Sequence, residues 1–137
     1  METNKLYNLA ENTGVTVDFV NIPTARAMVL ELYGKTFLAI DKQVRSGSAE
    51  ERVLLAHELG HISTNSFYPL SSPLSAKKIC EKKADRWAIK NLIPLSDLVE
   101  AYKNGNESVQ SLAEIFSVTE EFMQKALEFY CSVKQDV

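Results

Sequence analysis

Along the chain, apolar and polar positions fall into short runs broken at glycine, proline and serine. Lys5 to Glu11 reads as a helix that ends near Gly14. Ala27 to Leu32 is rich in branched and aliphatic residues and reads as a strand, and Thr36 to Ile40 reads as a second. Tyr33-Gly34-Lys35 supplies turn chemistry between them, so the two form a hairpin. Ser46-Gly47-Ser48 breaks the pattern. Ser48-Ala49-Glu50-Glu51 has the form of a capping box, with Glu51 placed to reach back to the Ser48 amide. The helix it opens runs to about Ser63. Thr64 to Ser72 is a loop, and Ser72-Pro73 predicts an N-cap followed by proline at the first helical position. A second long helix runs to about Leu92 and stops before Pro94. Three shorter helices follow, about Ser96 to Lys103, Val109 to Phe116 and Glu120 to Cys131, the last capped by Thr119. The pattern predicts an α+β fold, mostly helical, with a small β-hairpin packed beside the first long helix.

Length and composition narrow the class. The chain has 137 residues, 45% hydrophobic and 24% charged, which suits one folded domain over residues 1–137. The helical part from about residue 95 onward is expected to pack on the same core. A net charge of -3 argues against nucleic-acid binding, which needs a basic face. Val53-Leu54-Leu55-Ala56 is the densest apolar stretch and is too short to span a bilayer. The first residues carry no apolar signal region, so a cytoplasmic location is the expectation. Two cysteines, Cys80 and Cys131, do not make a disulfide framework; free thiols, packed as small buried hydrophobes, are expected.

The chemistry concentrates in His57-Glu58-Leu59-Gly60-His61. Two histidines four apart on a helix share one face, so both imidazoles can reach one ion. The chain has two histidines, and both are here. Glu58 lies about 100° round from His57, on the rim of that face, where it can serve as a base without ligating. Leu55, Leu59 and Ile62 fall on the opposite side and would anchor the helix in a core. A catalytic site takes three protein ligands and leaves a position open. With no further histidine, a carboxylate should complete it, and Glu81 on the second long helix is the candidate. Asp85 lies one turn beyond Glu81 and can accept the outer N–H of His57, fixing its tautomer. Gly60, Ala84 and Ala88 are small enough to let the two helices approach and share an ion. The expected ion is Zn2+, although two histidines and a carboxylate also accept Mn2+ or another divalent ion.

His57-Glu58-Leu59-Gly60-His61, then Glu81-x-x-Ala84-Asp85-x-Trp87-Ala88, then Leu92-Ile93-Pro94, resembles the ImmA/IrrE-type metallopeptidases. The resemblance covers roughly Thr24 to Tyr130 and includes the late segment from Ser111 to Thr119. The spacing from Glu81 to Asp85 is also similar to that of thermolysin-like zinc peptidases, which implies a ligand role for Glu81 and a histidine-orienting role for Asp85. The resemblance implies a zincin-like fold and a cytoplasmic metallo-endopeptidase. Members of the family are typically encoded by phages or mobile elements, or act as bacterial stress regulators. They cleave a helix-turn-helix repressor and derepress its genes, so a transcriptional repressor is the implied protein substrate. The chain departs from the pattern in its short length, its compact loop between the motif helices, and Trp87 where phenylalanine is commoner.

The residues predict metal-assisted peptide hydrolysis. The ion supplies Lewis acidity; Glu58 takes the proton of the attacking water and carries it to the leaving amine. Tyr68 is a conceivable donor to the tetrahedral oxyanion. The strand Thr36-Phe37-Leu38-Ala39-Ile40 precedes the metal helix, and a substrate is expected to pair with its free edge in extended form. Val109 to Cys131 can also be read as a helix-turn-helix, but Glu120, Glu121 and Glu128 on its second helix would be repelled by phosphate. Phe122, Met123, Ala126, Leu127 and Tyr130 there read as a buried stripe. The rival to an endopeptidase is a metal-binding regulatory module that works by protein–protein interaction without hydrolysis. Glu58 favours the enzyme, because a structural site has no use for a base there.

Overall fold

The computed structural model describes residues 1–69 and 71–135, with side chains described through Ser132. Among the described residues there are six helices and three strands, an α+β fold that is mostly helical. Helix α1 (Thr3–Asn12) leads into strand β1 (Val15–Val20), then β2 (Ala27–Leu32) and β3 (Lys35–Asp41). The long helices α2 (Ala49–Ser63) and α3 (Leu74–Leu92) follow, then α4 (Leu95–Lys103), α5 (Val109–Phe116) and α6 (Glu120–Gln135).

The hairpin forms as its residues predict. Tyr33 and Gly34 have φ of 53° and 77°, a two-residue turn with both central residues left-handed, closing the pair Leu32 and Lys35. The pattern predicts two strands; the structure adds β1, which pairs in parallel with β3, Val15 opposite Thr36 through Val20 opposite Asp41. The sheet order is therefore β1-β3-β2, with β3 in the middle and β2 on the edge beside α2. The Asp41 N–H donates to the Arg26 carbonyl at 2.8 Å, which sets the phase of the β2–β3 ladder. In an antiparallel pair alternate residues turn their backbone groups to the partner. Met28, Leu30 and Leu32 thus bond to β3, and Ala27, Val29 and Glu31 present their N–H and C=O groups at the outer edge.

Helix α2 begins as half of a capping box. The Ser48 hydroxyl accepts the Glu51 amide at 3.1 Å. Glu51 does not return to the Ser48 amide: its carboxylate accepts the Gly47 N–H at 3.2 Å and the Tyr7 hydroxyl at 2.9 Å. The carboxylate thereby ties α1 to the start of α2 and satisfies its own burial. For α3 the N-cap is Pro73 rather than Ser72, so proline sits outside the first turn.

Leu55 and Leu59 of α2 are fully buried, each stabilising the fold by about 1.5–3 kcal/mol. They meet Leu6 of α1, Leu38 and Ile40 of β3, and Leu92 of α3 in one apolar cluster. The same cluster takes in Leu112 of α5 and Phe122, Met123 and Ala126 of α6; Leu127 and Tyr130 are half-buried against it. The Tyr130 hydroxyl donates to the Ile93 carbonyl at 2.7 Å, and the Arg52 guanidinium donates to the carbonyls of Phe116 and Met1. Cys80 and Cys131 are free thiols, but neither is buried: Cys80 is half-buried and Cys131 exposed. Among the described residues no helix is long and apolar enough to cross a membrane.

Candidate metal centre

Helices α2 and α3 cross at Gly60 and Ala84. A Cβ placed on Gly60 would lie 2.5 Å from the Ala84 carbonyl oxygen, a separation no side chain tolerates. The missing side chain lets α3 lie against the histidine face of α2. Ala84 and Ala88 are both fully buried, as that approach requires.

The result brings three sequence-predicted residues together. His57 Nε2 lies 2.8 Å and His61 Nε2 3.0 Å from the same Glu81 oxygen, Oε2. One ligand atom from each of the three residues lies within 4.8 Å of the others, a span that one ion's coordination shell can close. Tyr68, from the loop after α2, donates its hydroxyl to the other Glu81 oxygen, Oε1, at 2.8 Å. It therefore touches the group directly.

The two histidines are oriented from behind. His57 Nδ1–H donates to Asp85 Oδ1 at 2.8 Å, and His61 Nδ1–H donates to the Ser66 carbonyl at 2.8 Å. A carbonyl can only accept, so the proton of neutral His61 sits on Nδ1; the Asp85 carboxylate fixes His57 likewise. With each neutral ring's proton on Nδ1, both Nε2 lone pairs face Glu81. Three acceptors aimed at one point need positive charge between them, protons on the rings in the metal-free chain or a cation, so this donor set fits a divalent metal. Asp85 Oδ2 has its own partner, Lys125 Nζ of α6 at 3.8 Å, rather than Lys82 or Arg86 of its own helix.

Ionisation follows the same geometry. For His57, burial favours the neutral ring, but the hydrogen bonds of Asp85 and Glu81 outweigh it and push the metal-free group up to about 10. His61 moves up too: burial opposes, and Glu81 with the Ser66 carbonyl prevails. The histidine contacts hold the Glu81 carboxyl far below the usual range. Glu58 goes the other way. Burial pushes it up, the two histidines pull it down, and burial wins. Tyr68 is pushed up to about 12, chiefly by its hydrogen bond to Glu81.

Glu58, His61, Tyr68 and Glu81 line one cleft of about 270 Å³, together with Ala27, Met28, Val29 and Phe67. Its far wall is the edge of β2. The expected substrate strand, Thr36 to Ile40, does not border this cleft with a free edge. It belongs to β3, whose neighbours β1 and β2 occupy both sides. The error has a physical source: β3 is central because β1, remote in sequence, pairs with it. Two supports lie outside the sequence expectations. Ser66 acts through its backbone and leaves no residue signature; the β2 edge could have been found from the alternation Val15, Val17, Phe19, which marks a third strand.

A two-histidine helix crossed by a glutamate helix, beside a small sheet, defines a site able to hold a metal ion, as a metallopeptidase's does. Residues 10–128 match the family model described as the IrrE N-terminal-like domain, a peptidase family, and the chain belongs to that family. Among curated proteins, none matches the chain.

Proposed function

We propose that the protein is a zinc-dependent endopeptidase that cuts a regulatory protein, a helix-turn-helix transcriptional repressor, and so derepresses its genes. The observation that carries the peptidase reading is the convergence of His57, His61 and Glu81 beside a cleft that His61, Glu81 and Glu58 line and that opens on an edge of β2 unpaired among the described residues. The repressor is supported by the family resemblance alone.

In this reading His57, His61 and Glu81 hold the ion, and Asp85 and the Ser66 carbonyl keep both Nε2 atoms turned to it. The bound ion supplies Lewis acidity towards a peptide carbonyl and a water molecule. Glu58 is the general base. Its raised pKa brings it closer to the pH at which a carboxylate both takes a proton from water and returns one to a leaving amine. The Tyr68 hydroxyl, already inside the cleft, is the donor available to a developing oxyanion. The substrate lies extended along β2, where the outward backbone groups of Ala27 and Val29 offer it a ladder beside the metal centre. The corrected strand is thus β2 instead of Thr36 to Ile40. The C-terminal helices share the core cluster, which supports one domain, and exposed Glu120, Glu121 and Glu128 support protein rather than nucleic-acid contacts.

The test is elemental analysis with cleavage. Wild type should carry about one zinc per chain, and Glu81→Ala should lose it. Glu58→Gln should keep the zinc and lose cleavage of a repressor by roughly 10²–10⁴-fold. If Glu58→Gln retained full biological function, the protein would instead be a metal-binding regulatory module.

A further inference from the structure

The cleft beside the metal centre has one wall that the chemistry above does not use. Phe67 projects there with 42% of its surface exposed, although it is a large apolar side chain. Its ring stacks near-parallel on His61, centroids 6.5 Å apart and planes 24° from each other. The edge of β2, at Ala27, Met28 and Val29, lines the same cleft. The position of Phe67 is set by a tight turn. Ser66 N–H donates to the His61 carbonyl at 2.9 Å, and Asn65 takes φ of 50°. The Thr64 hydroxyl bonds both the Gly60 carbonyl, at 2.7 Å, and the Ser66 hydroxyl, at 2.6 Å. The turn that aims the Ser66 carbonyl at His61 therefore also fixes the ring one residue later.

We propose that Phe67, against the β2 edge at Met28 and Val29, forms an apolar specificity subsite for one bulky aliphatic or aromatic side chain of the substrate, adjacent to the scissile bond. The inference rests on the peptidase reading and deepens it. A fixed ring against a metal-binding histidine leaves apolar surface wet in the free protein. An apolar substrate side chain covers that surface and gains the burial energy. An acidic side chain gains nothing from the walls and meets Glu58 in the same cleft. The subsite needs no movement of the backbone, since its two walls belong to a strand and a bonded turn.

The experiment is a random library of unstructured decapeptides digested with the zinc-loaded protein, the cut sites read by mass spectrometry. The profile should show Leu, Ile, Met or Phe enriched at one position next to the cut, with Asp and Glu depleted. For the best peptide, Phe67→Ala should reduce kcat/KM by roughly 10- to 200-fold, mostly through KM, and Phe67→Leu should restore part of it. A second readout does not depend on turnover: a fluorescein-labelled copy of that peptide should bind Glu58→Gln at least about tenfold more tightly than the Glu58→Gln, Phe67→Ala double variant. Cleavage without apolar preference, or a profile unmoved by Phe67→Ala, overturns the subsite and leaves the peptidase standing. A zinc-loaded wild type that cuts neither the library nor a repressor overturns both.

Discussion

Gly60 and Ala84 touch so closely that the missing Cβ of Gly60 is what brings the helices of His57, His61 and Glu81 together. In an ordinary helix interior Gly→Ala gains up to about 1 kcal/mol. Here the added methyl would meet the Ala84 carbonyl oxygen at 2.5 Å and its Cα at 3.0 Å, both backbone atoms that cannot rotate away. Gly60→Ala should therefore destabilise the fold by about 1–3 kcal/mol, against the propensity trend. Because Glu81 rides on the displaced helix, zinc affinity should fall as well. Urea unfolding of the metal-free chain and competition with a chromophoric chelator measure the two. A variant as stable as wild type, binding zinc equally well, would show that the crossing is slack.

Asp85 and Lys125 share a contact, but they should not matter equally. Asp85 holds His57 Nδ1 at 2.8 Å, whereas Lys125 stands 3.8 Å from the outer oxygen with half its side chain exposed. Asp85→Asn keeps the shape and removes the charge, and zinc affinity should drop by roughly 10–100-fold. Lys125→Met breaks an ion pair open to solvent, worth about 1 kcal/mol or less, and should change affinity by no more than about fivefold. Comparable losses in the two variants would mean that α6 helps to hold the metal centre through Lys125.

Removing the metal should reverse the pH dependence of stability. In the metal-free chain His57 titrates at about 10 instead of its ordinary 6.5. A raised cationic group stabilises the fold fully below its unfolded pKa and loses that contribution as pH climbs through the folded one. The depressed Glu81 acts oppositely, contributing above its ordinary 4.5 and failing as the solution becomes acid. The metal-free chain should thus weaken steadily from about pH 6.5 towards 10. Zinc binding releases protons from the histidines, so the loaded chain should gain from the same rise until the ion itself hydrolyses. Urea midpoints across this range, with and without chelator, give the two slopes. Parallel slopes would contradict the shared-oxygen geometry of His57, His61 and Glu81.

What the sequence discloses divides along the line between local and remote causes. His57, Glu58 and His61 are fixed relative to one another by helical geometry alone, so their spacing is enough to place them. Glu81 follows from counting ligands, and Asp85 from one further turn of the same helix. The hairpin is legible because Tyr33-Gly34 dictates its own turn. The sheet's order is not, because it depends on β1 finding β3 across the whole of β2. That one missing strand turns the expected free edge, Thr36 to Ile40, into the centre of the sheet. Ser66 stays hidden for another reason: a carbonyl can be supplied by any residue, and only the turn at Asn65 and the bonds of Thr64 aim it at His61. The capping box forms only in half, because the Glu51 carboxylate bonds Tyr7 of α1 instead of the Ser48 amide.

The alternation of backbone groups along β2 gives a sharp test of substrate binding at its edge. Val29 turns its N–H outward, while Leu30 turns its N–H to β3. Proline removes a backbone donor, and on an edge strand it is tolerated only where that donor is not part of the ladder. Val29→Pro should leave the β2–β3 pairing intact and cost little stability, but it deletes a hydrogen bond that an extended substrate would accept. Cleavage of a protein substrate should fall by about tenfold, with KM bearing the loss and zinc content unchanged. Leu30→Pro is the contrasting variant. It strikes the ladder itself and should destabilise the sheet, visible as a lowered urea midpoint before any assay of activity. If Val29→Pro folded, held zinc and cut its substrate at the wild-type rate, the substrate would not be pairing with β2, and the cleft would have to be reached from the Phe67 side instead.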